Sequence, residues 1–102
     1  MLNQIVLVGR LVENPKVEKE DEKEKSVITL AVQRNYKNED GVYETDFINC
    51  VLWNGIASNT AEWCKKGDLI GVKGRVQGND GKIEIIAEKV TFLSSKKNEG
   101  VE

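Results

Sequence analysis

Apolar and polar side chains alternate with a period of two along most of this chain, and a helical period interrupts them only once. Val27 to Tyr36 sets Ile28, Leu30 and Val32 on one face, with Thr29, Ala31 and Gln33 between them. Past a turn cluster at Asn38, Glu39, Asp40 and Gly41, the run Thr45 to Trp53 puts Ile48, Cys50 and Leu52 on one face. Phe47, Asn49, Val51 and Trp53 take the other. Leu69 to Gln77 and Lys82 to Leu93 are strand-like runs joined by a tight turn at Asn79, Asp80 and Gly81. The opening run, Asn3 to Val12, differs from these. Ile5, Leu7 and Leu11 fall on one side and Val6, Val8 and Val12 on the other, so this strand needs cover on both faces. From Ile56 to Lys66 the spacing becomes helical. Ile56, Ala57, Thr60, Ala61 and Cys64 share a stripe, Lys65 and Lys66 stand in the last turn, and Gly67 follows as a stop.

Three strands, a helix and two strands is the element order of the OB-fold, a five-stranded Greek-key barrel with its helix between the third and fourth strands. The sequence therefore predicts an all-β domain with one short helix. Gly9, Gly71 and Gly74 lie inside strands, where a coiled barrel needs bends or close backbone approach. A chain of 102 residues has room for one core, assigned to residues 1–93. Residues 94–102 are polar and expected to form a disordered tail.

Catalysis finds little material here. With no histidine, Cys50 and Cys64 lack the usual base that would activate a thiol, and a zinc site would have to draw on carboxylates. Both cysteines read as core fillers of a reduced, cytoplasmic protein. No loop carries a phosphate-cradling Gly-rich signature, no cofactor or metal is expected, and the chain is expected not to be an enzyme. Neither a signal-peptide pattern nor a membrane-length apolar run is present.

Binding is better supplied. The net charge of −2 argues against a phosphate-rich partner, but much of the acid sits in a mixed-sign segment from Glu13 to Lys25, read as a solvated loop. Phe47 and Trp53 point away from the core set of their own strand. That face suits base stacking, worth about 1–3 kcal/mol per base whatever its identity, and it suits burial against another protein equally well. Lys73 and Arg75 share the outward parity of the fourth strand, and Arg10, Arg34, Lys37, Lys65 and Lys66 flank them. Tyr36 has the parity of core residues and faces outward only if its strand bends. Trp63 is assigned to packing of the helix against the barrel end.

The blocks Asn3 to Leu11, Thr29 to Val32, Asp46 to Trp53 and Lys65 to Val76, in that order, resemble the bacterial single-stranded DNA-binding protein (SSB) family. The resemblance runs from about Met1 to Leu93. It implies an OB-fold homo-oligomer, a tetramer rather than a dimer, that coats single-stranded DNA during replication, recombination and repair in the cytoplasm, at the nucleoid. It also implies DNA stacking by Tyr36, Phe47 and Trp53, phosphate contacts from Arg10, Arg34, Lys66, Lys73 and Arg75, and subunit pairing through the first strand. Three departures stand out. The Val76 to Lys82 connection is a bare turn in place of a long basic hairpin, and the charged segment from Glu13 to Lys25 replaces a turn that in the family carries a glycine and an aromatic. The acidic tip through which relatives recruit repair enzymes is missing, so that recruitment is expected to be absent. A dimeric replication-restart protein and an OB-fold protein-interaction module are the alternative readings.

Overall fold

The architecture follows from how β1 (Ile5–Leu11) is used twice, as the computed structural model of the chain, which describes residues 1–94, makes plain. Six strands and one helix succeed one another as β1, β2 (Glu18–Glu20), β3 (Lys23–Lys37), β4 (Tyr43–Trp53), α1 (Asn54–Trp63), β5 (Leu69–Asn79) and β6 (Lys82–Phe92). β1 runs antiparallel to β5 from Ile5↔Gly74 to Arg10↔Leu69, then turns onto β3 at Arg10↔Ala31 and Leu11↔Leu30. That second pairing closes β1, β5, β6, β4 and β3 into a five-stranded barrel. β4 and β6 run parallel at Cys50↔Ile85 and Val51↔Ile86, as a Greek-key return requires. The OB-fold expectation holds.

The barrel interior is filled by the inward parity of each strand. Leu30, Leu52, Ile70 and Val72 are fully buried, with Leu11, Ile28 and Cys50 beside them. Each such aliphatic side chain contributes about 1.5–3 kcal/mol on leaving water. α1 closes one end with Ala57 and Thr60 buried. Asn54 takes a left-handed φ of 54°, which lets the chain pass from strand to helix in one residue.

Two expectations are corrected. The helix ends at Trp63, and Lys65 and Lys66 lie in the turn beyond it. There the Asp68 carboxylate accepts from the Lys65 amide at 3.0 Å, and the Asp68 amide donates back to the Lys65 carbonyl at 3.0 Å. This local acceptor competes with another helical turn, and Gly67 supplies the φ of +93° that the bend demands. The Glu13 to Lys25 segment is likewise not all loop. Glu18–Glu20 pairs with Lys23–Lys25 as Glu18↔Lys25, Lys19↔Glu24 and Glu20↔Lys23, opposite charges facing at every step. This sixth strand lies outside the barrel and places the helix between β4 and β5.

Two of the three strand glycines answer to close backbone approach. A Cβ on Gly9 would stand 2.7 Å from the Ala31 carbonyl oxygen where β1 crosses β3, and one on Gly74 would overlap the Ile86 backbone. Gly74 sits beside a register shift, where Lys73↔Lys89 is followed by Gly74↔Ala87 and Glu88 bulges out of β6. Gly71 has ordinary van der Waals room. Gly74→Ala should therefore destabilise the fold by about 1–3 kcal/mol in urea unfolding, with Gly71→Ala costing less.

Candidate nucleic-acid interface

The outward parity of β3 and β4 makes one continuous surface. Lys25↔Trp53, Val27↔Val51, Thr29↔Asn49, Ala31↔Phe47 and Gln33↔Thr45 face one another across the two strands. β1 extends it on one side, because Arg10 pairs with Ala31, so Arg10, Ala31 and Phe47 form one row. β6 and β5 extend it on the other, with Val51, Ile86 and Arg75 in a second row. Phe47 is 67% exposed and has no place in the core. Trp53 is partly covered, and the Lys25 ammonium lies 5.2 Å from its ring centroid, within cation–π range.

A groove of about 360 Å³ runs between this surface and the β5–β6 hairpin, with Val27, Asn49, Val51, Asn79, Lys82 and Ile83 among its walls. The hairpin is a two-residue turn, with Asp80 and Gly81 both left-handed (φ 52° and 79°) and the strands paired up to Asn79↔Lys82. Even this short connection presents Ile83, an exposed apolar side chain, to the groove. Thr29 Oγ1 donates to Asn49 Oδ1 at 2.7 Å and fixes the polar middle of the surface.

The expected cations are not all equivalent. Arg10 Nη1 donates to the Gly67 carbonyl at 3.0 Å, which ties it to the corner that carries Lys66. Arg75 meets Glu88 at 3.2 Å and bonds the Gln77 amide oxygen. Lys73 stands between Val6 and Lys89, on the outer face of β1, β5 and β6, and not in a row with the aromatics. On that face Val6 and Val8 are 63% and 49% exposed, so the second apolar side of the first strand is left largely open among the described residues. Arg34 is held in a two-pronged pair with Asp46 at 3.0 and 2.9 Å and bonds Glu44 at 2.8 Å. The hydrogen bond to Asp46 holds the guanidinium further above its usual range and the Asp46 carboxyl below its own.

Tyr36 is 60% exposed, in a stretch where Gln33 pairs with Thr45 and Lys37 with Tyr43. Arg34, Asn35 and Tyr36 thus stand against Glu44 alone, an irregularity that alternation cannot register. Two side chains of the surface escaped the sequence reading. Lys25 was hidden in the charged segment, although it continues the parity of Val27 and Thr29. Tyr43 lies two residues before the expected start of its strand and continues the parity of Phe47. Trp63, assigned to packing at the barrel end, is 54% exposed on the helix.

The thiols of Cys50 and Cys64 are buried, and burial pushes both up to about 11. They are inert core groups. Among the described residues no cluster of side chains suits a metal ion, and no helix is long and apolar enough to cross a membrane.

A closed OB-fold barrel that displays rings and cations on its second and third barrel strands, between two hairpins, has the form of an oligonucleotide- or oligosaccharide-binding protein. Comparison with known proteins narrows the class. The profile of the Single-strand binding protein family matches residues 2–93. The chain is 48% identical over 108 residues to Single-stranded DNA-binding protein 3 of Listeria innocua, covering 96% of this chain and 68% of that one. To Single-stranded DNA-binding protein B of Bacillus subtilis it is 38% identical over 109 residues, covering 97% and 96%. The chain belongs to the single-strand binding protein family, whose fold and non-enzymatic character agree with the sequence reading.

The Arg34–Asp46 pair, on the other side of β4 from Phe47, gives the fold a testable acid sensitivity. Because the native Asp46 carboxyl is depressed, its contribution to stability is complete above the ordinary carboxylate value near 4 and is lost as pH falls through the native value. Asp46→Asn should lower stability at pH 7 and flatten its loss between about pH 5 and 2, as read by urea midpoints across that range.

Proposed function

We propose that this chain binds single-stranded DNA with little regard to sequence, as a homo-oligomer acting in DNA replication, recombination and repair at the nucleoid. The observation that carries this reading is the outward Phe47 and Trp53, on the barrel face where OB-folds hold oligonucleotides, in a chain of the single-strand binding family. Its relatives are named as single-stranded DNA-binding proteins.

Tyr36, Phe47 and Trp53 stack on bases, and every base offers a π-face, so the rings do not select sequence. Arg10, Lys66 and Arg75 neutralise phosphates along the same surface, with Lys25 beside Trp53. Lys73 and Arg34 complete the basic set, from the neighbouring face and from the Asp46 pair. Glu20 lies 3.3 Å from Lys25 and Glu88 lies 3.2 Å from Arg75, so phosphates replace carboxylates on these cations when DNA binds. These are exposed pairs and cost little to exchange. The exposed Val6 and Val8 favour pairing of subunits through β1, with the family resemblance pointing to a tetramer over a dimer.

Titration with oligo-dT at low salt should quench Trp53 emission, read in a Trp63→Phe background. Trp53→Ala should cost about 1–3 kcal/mol of binding. The slope of log K on log salt should lie between roughly −2 and −3.5, for about three to five phosphates neutralised per subunit at ~0.7 each. Unchanged emission and no salt-dependent binding would contradict the proposal.

A further inference from the structure

The β3–β4 hairpin carries a ring that its own architecture does not need. Asn38 organises the hairpin tip. Its side-chain oxygen accepts from the Asp40 and Val42 amides at 2.8 and 3.0 Å, its amide donates to the Val42 carbonyl at 2.8 Å, and its carbonyl accepts from the Gly41 amide at 3.0 Å. Its Nδ2 also donates to Glu44 at 3.0 Å. Tyr43 takes part in none of these bonds, and its side chain is 47% exposed.

Parity decides which way that ring faces. Glu44 and Asp46 both bond Arg34 on one side of β4, so Tyr43 and Thr45 lie with Phe47 on the other. Lys37 is paired with Tyr43, and its ammonium lies 5.7 Å from the Tyr43 ring centroid. Among the described residues Lys37 makes no ion pair. An exposed ring with a cation over it offers the two things a nucleotide needs, a surface for the base and a charge for its phosphate.

We propose that Tyr43 and Lys37 form a further nucleotide-binding position, which carries the path of single-stranded DNA along β4 to the β3–β4 hairpin. The inference rests on the single-stranded DNA reading and extends it. At about 3.4 Å per residue, Phe47 to Trp53 covers roughly 20 Å, and Tyr43 to Trp53 covers roughly 34 Å. The added length lies at the opposite end of β4 from Trp53. It offsets, at that end, the short two-residue turn between β5 and β6.

The test measures affinity and occluded length with a series of oligo-dT lengths, for Tyr43→Ala, Tyr43→Phe and Lys37→Met alongside Trp53→Ala. The expected result is a loss of about 5- to 150-fold for Tyr43→Ala on long oligonucleotides, with a shorter occluded length and no loss on the shortest that bind. Tyr43→Phe should retain wild-type values, because the ring remains. Lys37→Met should flatten the salt slope by about 0.7. Tyr43→Thr puts a strand-favouring β-branched residue in place of the ring and serves if the alanine variant does not fold. Wild-type affinity and occluded length in Tyr43→Ala, with Trp53→Ala impaired, overturns this inference and leaves the proposed function standing. Wild-type binding in Trp53→Ala as well would sink both.

Discussion

Closure of the barrel by β1 against β3 is the contact on which the rest depends. Arg10↔Ala31 and Leu11↔Leu30 make it, with the Val12 amide donating to the Thr29 carbonyl at 3.0 Å just beyond, and Gly9 makes it possible, since any side chain there would strike the Ala31 carbonyl. The same two pairs work on both sides of the wall. Leu11 and Leu30 meet inside and join the core, while Arg10 and Ala31 meet outside and bring a guanidinium into the row of Phe47. The step that seals the interior therefore also sets a cation beside the ring.

β4 shows the same economy along a single strand. Its even residues, Ile48, Cys50 and Leu52, build the core, and its odd residues, from Tyr43 to Trp53, take the outward side, where Val51 is nonetheless covered. A one-residue slip would exchange the two sets, so the burial that stabilises the barrel also holds the exposed rings in place. Carboxylates then tune the cations. Asp46 clamps Arg34 in a two-pronged pair with Glu44 on the third nitrogen, whereas Lys25 and Arg75 each face one exposed carboxylate.

Much of this could be read from the residues because period-two alternation is a direct record of a barrel wall. The two faces of β4 and the inert thiols were legible for that reason. What escaped depended on register. The Glu18–Lys25 hairpin is written in alternating charge, which an apolar pattern does not detect. Lys73 and Arg75 share a parity, yet the bulge at Glu88 and the turn of the barrel put one beside Val6 and the other beside Ile86. Tyr36 sits where three residues stand against one, so its surroundings follow from the irregularity and not from spacing. Tyr43 was missed because its strand begins two residues earlier than the turn cluster suggested.

The central claim is that nucleic acid lies on the outer face of β3 and β4. Methyl-detected NMR of the protein titrated with oligo-dT tests it most directly, because valines mark both outer faces. Val27, Val51 and Ile83 are expected to shift with DNA while Val6 and Val8 do not. Shifts confined to Val6 and Val8, with Val27 and Val51 silent, would contradict it.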